Sequence, residues 1–281
     1  MVNSKFLFKI YYIGTNQYHG SQRQPDLPTI EQCFLTVLEN KGYISEIENS
    51  EFEFASRTDR FVSARGACFT CIVRKKPILM EINSNLPREM GIWAYSKVPF
   101  DFSSRYQAVL RHYIYVVPTP LSYIQKTSGI DLSIMEKACK ELKGRHDFIN
   151  FSKRESESIN TIKDMVSATL AIKDEYIIFE FKSKSFLRQQ IRRMVKKILE
   201  LGTHEITYDD FINLFNISEI ISYQPADPKG LILWDTEYDK KIKFITDPKS
   251  IERMDNFFSS KKLIHRFKYN LFRFLQKDNL G

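Results

Sequence analysis

Residues 56–63 place one carboxylate among cationic and hydroxyl side chains. The segment reads Ser-Arg-Thr-Asp-Arg-Phe-Val-Ser, with Asp59 between Arg57 and Arg60. Nearby cations favour the ionised form of a carboxylate, which can act as a nucleophile or a general base. The alternating apolar run at 67–73 is typical of a half-buried strand, so Asp59 is expected on the loop that leads into it. The segment alone is equally compatible with a turn aspartate in a surface ion pair.

A second group of chemically capable residues lies on a helix predicted from about residue 186 to 201, ending at Gly202. On a helical wheel the apolar side chains fill one side, and Arg188 falls inside their stripe. A guanidinium that faces a core needs a carboxylate partner, and Asp59 is the obvious candidate. The alternative is an arginine of the first turn that extends to water. The other side is expected to be an exposed cationic stripe suited to phosphates, formed by Arg192, Arg193, Lys196 and Lys197.

Tyr113 is a third candidate. It lies in the apolar and aromatic run at 112–117, whose alternation points Tyr113 and Tyr115 to one face of a strand. A tyrosine ring under a nucleic-acid base provides a stacking platform worth ~1–3 kcal/mol. A tyrosine of the core is the alternative interpretation.

Composition and charge favour a globular protein that binds a polyanion. The 281 residues are 43% hydrophobic and 14% aromatic, which is typical of a well-packed core. The formal net charge of +8 favours nucleic acid as the partner. No apolar run reaches the roughly 18 residues that a membrane span needs. The N-terminus lacks the pattern of a signal peptide, so a cytoplasmic protein is expected.

The cysteines and histidines do not form a recognisable metal site. Cys68 and Cys71 form a CxxC pair, which is a zinc or redox pattern in some proteins. An offset of three within a strand points two thiols to opposite faces, and no second pair completes a zinc site. Buried free cysteines are therefore expected, with no metal and no cofactor.

The order of predicted elements indicates an α+β fold with two similar lobes. The first half has a strand at 6–13, a helix capped by Thr29 and the strand at 67–73. The second half has a strand at 112–117, a helix capped by Ser133, a hairpin at 166–182, the long helix and a strand at 231–234. We expect lobes over residues 1–100 and 101–240, each a mixed or antiparallel sheet with helices on one face, joined around a central RNA-binding cleft. The basic tail at 241–281 is expected to face RNA or to dock as an amphipathic helix.

Six segments, in order along the chain, resemble motifs of the TruA-type tRNA pseudouridine synthases. The Asp59 segment is similar to the family's Gly-Arg-Thr-Asp-x-Gly-Val-x-Ala, in which the aspartate is catalytic. Residues 186–192, Phe-Leu-Arg-Gln-Gln-Ile-Arg, are similar to its Phe-Leu-Arg-x-x-Val-Arg helix, which carries the arginine that pairs with that aspartate. The remaining matches are an N-terminal Tyr-x-Gly segment, the motif that presents the stacking tyrosine, a Leu-x-Gly-x-His-Asp-Phe turn and a closing Gly-Leu segment, at residues 18–24, 102–115, 142–148 and 225–231.

The resemblance implies an enzyme that converts specific uridines of tRNA to pseudouridine without a cofactor. The family usually acts at positions 38 to 40 of the anticodon arm, as a homodimer. Asp59 is then the catalytic carboxylate, and Arg188 is its partner. Tyr113 stacks on the uracil and is a candidate proton relay, while Arg57 fills the vacated stack and Leu231 closes the pocket. Three routes stay open for Asp59: attack on the sugar, attack on the base, or removal of a ribose proton.

Several positions depart from the family motifs, and other functions remain compatible with the sequence. Phe61 and Ser56 stand where the family has glycines, Ser21 replaces a tryptophan, and Gln189-Gln190 replace a His-Met-like pair. Phe61 is expected to be tolerated if its position does not need a positive φ. The alternatives are a related synthase acting on other uridines of tRNA or small nuclear RNA, a non-catalytic RNA-binding relative, and a protein-interaction scaffold. A scaffold would not show an affinity that falls steeply with salt.

Overall fold

The structure, a computed structural model, describes residues 3–153 and 160–276, and its strands form one mixed sheet. These strands are β1 (Ser4–Tyr12), β2 (Glu53–Phe54), β3 (Ser63–Val73), β4 (Met90–Val98), β5 (Leu110–Val116), β6 (Gly144–Asp147), β7 (Ile162–Lys173), β8 (Tyr176–Ser183), β9 (Leu231–Glu237) and β10 (Ile245–Thr246). Their order across the sheet is β10-β4-β1-β3-β9-β5-β8-β7-β6, and β2 pairs with β3. The prediction of an α+β fold with a mixed sheet is confirmed.

The helices in the described residues are α1 (Ile30–Asn40), α2 (Leu79–Asn83), α3 (Leu121–Thr127), α4 (Leu132–Glu141), α5 (Gln190–Gly202), α6 (Tyr208–Asn213) and α7 (Pro248–Leu275). Of these helices, α1, α4, α6 and α7 begin at a capping side chain. The Thr29 side chain caps α1 as predicted, by accepting from the amide of Gln32. The prediction that Ser133 caps α4 was wrong. The Asp131 carboxylate accepts from the amides of Ser133 and Ile134 instead, and aspartate is at least as favourable a cap as serine.

The two predicted halves meet at a parallel pair of strands in the middle of the sheet. β3 and β9 run parallel, with Ser63 opposite Ile232 and Ala64 opposite Leu233. Neighbouring parallel strands start at the same edge of a sheet. The Asp59 loop precedes β3 and residues 225–230 precede β9, so these two loops converge although they are far apart in sequence.

Apolar side chains are buried on both faces of the sheet. The larger core includes Phe8 of β1, Phe69 of β3 and Phe181 of β8, together with the buried faces of α1, α4 and α5. A smaller cluster on the other face includes Cys68, whereas Cys71 belongs to the larger core. The predicted separation of these two thiols is confirmed, and burial raises the pKa of each to about 12.

Part of the predicted tail packs on the first half of the chain. β10 pairs with β4, and Asp247 caps α7 by accepting from the Ser250 amide. The Arg253 guanidinium then donates to the carbonyls of Leu86, Pro87 and Met90. From residue 259 onward α7 is almost entirely exposed, and residues 277–281 lie outside the described range. In the part of the chain that the structure describes, we find no helix with the length and apolar character needed to cross a membrane.

Candidate active site

Asp59 lies at the start of a tight turn whose third residue is strained. The Asp59 carbonyl accepts from the Val62 amide at 3.2 Å, which closes a four-residue turn. Phe61, the third residue of this turn, has a φ of +69°. The condition under which Phe61 would be tolerated without strain, a negative φ, is therefore not met. The turn needs a left-handed residue at this position, which is why glycine suits it, and a residue with a Cβ adopts it at a cost of about 1–2 kcal/mol.

The N-terminal motif holds the loop in place directly before Asp59. The fully buried Ser21 donates its amide to the Thr58 carbonyl at 3.1 Å and accepts from the Thr58 amide with its hydroxyl at 2.8 Å. Gly20 has a φ of +92°, and a Cβ there would lie 2.9 Å from the Thr58 carbonyl. The Tyr12 hydroxyl shares a hydrogen bond of 2.8 Å with that of Thr58. The first strand and the Gly-Ser pair thus fix the backbone that presents Asp59.

The Asp59 carboxylate forms an ion pair with Arg192 of α5. The distance from Arg192 Nη1 to Asp59 Oδ2 is 2.9 Å. Arg192 also donates from Nε to the Ala226 carbonyl at 2.7 Å, and its own carbonyl accepts from the Ala226 amide at 3.0 Å. The Arg192 side chain is 10% exposed and that of Asp59 is 35% exposed. A buried guanidinium therefore orients a carboxylate that still faces solvent.

The prediction that Arg188 pairs with Asp59 is corrected by this geometry. The helix begins at Gln190, and Gln189 before it has a φ of +58°. Arg188 therefore precedes the helix, is exposed, and does not occupy the wheel position that was assigned to it. The motif itself contained the signal for Arg192, because Phe-Leu-Arg-x-x-Val-Arg ends in a second arginine, and that residue matches Arg192.

The predicted exposed cationic stripe on α5 is also corrected. Arg192 and Arg193 are each only 8% exposed. Arg193 and Lys197 lie over the ring of Tyr223, at 5.1 and 4.5 Å from its centroid. Lys197 and Lys196 both pair with Glu200, and the Lys196 side chain, 40% exposed, is the more open of the two. Tyr223 and the segment that carries Ala226 cover this face, which the pattern of the helix alone does not reveal.

Tyr113 lies beside Asp59 with most of its surface buried. Its ring meets Phe186 edge to face, with centroids 5.2 Å apart. Burial raises the pKa of Tyr113 and the nearby Asp59 adds to the rise, whereas Arg111 and a hydrogen bond with Ser56 oppose it. The Tyr113 hydroxyl is therefore held in its neutral form close to the carboxylate. The structure brings together Asp59, Tyr113 and α5 as the sequence predicted, with a different arginine.

Arg111 is a positioning residue that was not assigned a role from the sequence. Its guanidinium donates to the Ser56 hydroxyl at 2.7 Å, the Ala55 carbonyl at 2.7 Å, the Arg105 carbonyl at 2.8 Å and the Lys184 carbonyl. Those acceptors belong to three separate loops. Arg111 therefore fixes the strand end that leads into the Asp59 loop.

The remaining predicted residues lie around this centre. Arg57 is exposed and donates to the Gln22 side chain at 2.9 Å. Leu231, the first residue of β9, is 8% exposed and lies opposite Tyr115 in the sheet. Arg60 and Lys229 add two further exposed cations at the same edge. An oriented carboxylate and a neutral tyrosine inside a cationic rim are suited to chemistry on a nucleotide.

Within the described ranges, no group of three or more His, Cys, Asp or Glu side chains is placed to hold a metal ion.

The sequence is similar to archaeal tRNA-modifying enzymes over almost its whole length. The profile of a family described as tRNA pseudouridine synthase matches residues 138–239. A protein named tRNA pseudouridine synthase A from Methanothermobacter thermautotrophicus is 32% identical over 277 residues, covering 98% of this chain and 96% of that protein. A protein of the same name from Archaeoglobus fulgidus is 33% identical over 278 residues, covering 99% of each. Among solved structures, an unknown protein from Galdieria sulphuraria aligns with a TM-score of 0.21 and 9% identity, over 65% of this chain and 81% of that one.

Proposed function

Because the chain belongs to the tRNA pseudouridine synthase A family, and is therefore an isomerase that acts on uridine in tRNA, we propose that Asp59 is its catalytic carboxylate. The single observation that carries this proposal is the ion pair between Asp59 and Arg192 at the edge where two loops converge. Arg192 orients the carboxylate and leaves its outer side open to a substrate.

The reaction transfers one bond and one proton within the same nucleotide. The N1–C1′ bond of uridine breaks, C5 of the same ring bonds to C1′, and the proton lost from C5 is balanced by one gained at N1. Each of the three routes considered for Asp59 requires an ionised carboxylate at a fixed position. Preorganised charge of this kind is a large contribution to enzymatic rate.

The neighbouring side chains supply contacts to the reacting base. Tyr113 stacks on the uracil, and its neutral hydroxyl is placed to pass a proton. Leu231 packs against the same base from the start of β9. The exposed Arg57 fills the gap that the flipped nucleotide leaves in the RNA stack. Flipping a base from a stem costs a few kcal/mol, which these contacts offset.

The substrate assignment is part of the proposal. We place the target uridines in the anticodon stem-loop, at positions 38 to 40, because the motifs resemble those of enzymes with that specificity. The two lobes, at residues 1–100 and 101–240, then meet at the β3–β9 pair, and the RNA lies over the edge where both strands start. As an enzyme of tRNA maturation it would act in the cytoplasm.

The direct test is to incubate the purified protein with unmodified tRNA transcripts and to map pseudouridine by carbodiimide adducts that stop primer extension. Stops in the anticodon stem-loop support the full assignment. Stops at other uridines, or in a small nuclear RNA, would keep the chemistry and overturn the substrate. Tight, salt-sensitive binding without any stop would identify a non-catalytic RNA-binding relative.

We also propose that the protein is a homodimer, as its resemblance to the family implies, and this proposal has its own test. Light scattering coupled to size exclusion is expected to give twice the 33.2 kDa mass of one chain. A mass of one chain at concentrations that support activity would contradict the dimer and leave the chemistry intact.

A further inference from the structure

Phe61 occupies a position in the active-site turn that its side chain makes unfavourable. A bulky residue at a φ of +69° is an outlier, and such strain persists where the surrounding structure compensates for it. The backbone needs only the turn, which glycine would form without strain. Part of what the chain gains by having Phe61 can come from its aromatic ring and the contacts that the ring makes.

The ring of Phe61 lies beside two cations from two different parts of the chain. The Arg60 guanidinium is 4.9 Å from the ring centroid, and the Lys229 ammonium is 5.6 Å from it. Arg60 belongs to the Asp59 turn, whereas Lys229 belongs to the 3₁₀ turn Pro228–Gly230 that precedes β9. Phe61 therefore connects the two loops that converge at Asp59.

Both cations are positioned to bind an anion. Arg60 and Lys229 are exposed, and neither forms an ion pair with a carboxylate of the described residues. Arg60 is further fixed by a hydrogen bond from Nη2 to the Asn16 carbonyl at 3.0 Å. A cation over an aromatic face keeps its outer N–H groups available to other acceptors. Two ordered cations beside one carboxylate suit the phosphates of a nucleic-acid strand, since phosphate is the anion that such a strand presents repeatedly.

We propose that Phe61 is a positioning residue that holds Arg60 and Lys229 as a two-cation site for RNA phosphates next to the reacting nucleotide. The inference rests on the proposed function only in taking RNA as the ligand. The strained φ costs folding stability, and in return the ring orders two long side chains in the free protein. Those side chains then lose less rotamer freedom when RNA binds, which raises the affinity. Arg60 and Phe61 directly follow Asp59 in the same turn, and the site contributes to affinity.

The test compares Phe61→Leu with Phe61→Tyr in an Asp59→Asn background, so that binding of an unmodified tRNA transcript is measured without turnover. Leucine keeps a large apolar side chain and the strained backbone but removes the π face. It should raise the dissociation constant for tRNA about threefold. Tyrosine keeps the π face and should bind like the parent. Equal affinities for the leucine and tyrosine variants would overturn the proposal.

A double-mutant cycle with Lys229→Ala separates this role from direct stacking of Phe61 on a base. If Phe61 acts through Lys229, the fold-loss of tRNA affinity in Phe61→Leu/Lys229→Ala should be smaller than the product of the fold-losses in the two single variants. Fully multiplicative losses would mean that Phe61 and Lys229 act independently, which contradicts the proposal. Lys229→Ala should also reduce the slope of affinity against salt by about one unit.

The melting temperature and the kinetic constants distinguish a role in RNA binding from a role in folding. Phe61→Gly should melt close to the parent protein, because the relief of backbone strain is countered by the lost ring contacts and by the greater entropy of glycine in the unfolded chain. It should nevertheless bind tRNA as weakly as Phe61→Leu. In the active enzyme, Phe61→Leu should raise KM more than it lowers kcat.

Pseudouridine formation together with unchanged binding by Phe61→Leu overturns this inference alone. Absence of pseudouridine from every transcript overturns the proposed function, and the binding cycle still decides the role of Phe61.

Discussion

At the scale of single residues, Arg192 joins three parts of the chain through one side chain. Its Nη1 donates to Asp59, its Nε donates to the Ala226 carbonyl, and its backbone carbonyl accepts from the Ala226 amide. The guanidinium can make the first two of these bonds at once because its donors point in different directions within one plane. A lysine ammonium carries its three donors on a single nitrogen, so it cannot reproduce bonds that leave from two separate nitrogens.

We predict that Arg192→Lys lowers the single-turnover rate about 100-fold, because a lysine would orient the carboxylate poorly even though it keeps the charge. The affinity for tRNA should change little, since Arg192 is 8% exposed and points to Asp59. Arg188→Lys is the matched control, because it makes the same substitution at the neighbouring arginine of the motif. A larger rate loss for Arg188→Lys than for Arg192→Lys would refute the assignment of the ion pair.

At the scale of secondary-structure elements, the segment before β9 is held tightly against β5. The Tyr115 hydroxyl donates to the Asp227 carbonyl at 2.9 Å. Gly230 lies so close to β5 that a Cβ on it would be 2.4 Å from the Val116 carbonyl and 2.9 Å from the Tyr115 ring. Since the same segment carries Ala226, this packing sets the position of Arg192.

We predict that Gly230→Ala destabilises the protein by about 1–3 kcal/mol, because an added methyl group must push the segment away from a backbone carbonyl. The rate should fall as well, since Ala226 would move with the segment and Arg192 with it. Urea unfolding and single-turnover assays on the same preparation measure both effects. Wild-type stability in Gly230→Ala would show that the segment adjusts without strain.

The sequence predicted the elements well where their own pattern determines them, and poorly where other parts of the chain do. The strands β1, β3, β5 and β9, the β7–β8 hairpin and the Thr29 cap follow from alternation and capping chemistry. The strand β4 was not predicted, because it is buried on both faces and shows no alternation. The order of the motifs selected Asp59 and Tyr113, which the structure places close together. Arg192 and Arg193 lie on the polar side of the α5 wheel, yet the loop of residues 223–226 buries them. That cover comes from residues about 30 positions later, so no periodicity within the helix could predict it.

At the scale of the whole molecule, the core buries groups that resist ionisation. Burial raises the pKa of Tyr12 and Tyr113 above the usual value for tyrosine, and it raises that of Tyr115 to about 12. Burial likewise raises the pKa of Cys68 and Cys71 to about 12. In the unfolded chain the thiols lose their protons near pH 8.5 and the tyrosines near pH 10.

We predict that the free energy of unfolding falls as the pH rises from about 9 to about 12. In that window the unfolded state binds fewer protons than the folded state, so a rising pH favours unfolding. Urea midpoints at pH 8 and near pH 10.5 measure the effect. Tyr115→Phe removes one of the titrating groups and should show a shallower decline. A midpoint that does not change with pH would contradict the predicted direction.

The distal half of α7 contributes little to the fold. Its buried residues are Ser250 and Met254, both in the first two turns, whereas large apolar side chains beyond residue 262 stay exposed. Removing residues 261–281 should therefore shift the melting temperature by less than about 2 °C. A drop of many degrees with an unchanged oligomeric state would show that this half packs on the body.

The role of Asp59 is best tested by the single-turnover rate of Asp59→Asn on an unmodified tRNA transcript, with the dissociation constant measured alongside. Asparagine preserves the size of the side chain and can still accept a hydrogen bond from Arg192, but it cannot act as a carboxylate. We predict no detectable pseudouridine and a change in affinity of less than about threefold, the pattern expected when an interaction of the transition state alone is lost. Pseudouridine formed by Asp59→Asn at the wild-type rate would show that Asp59 is not the catalytic carboxylate.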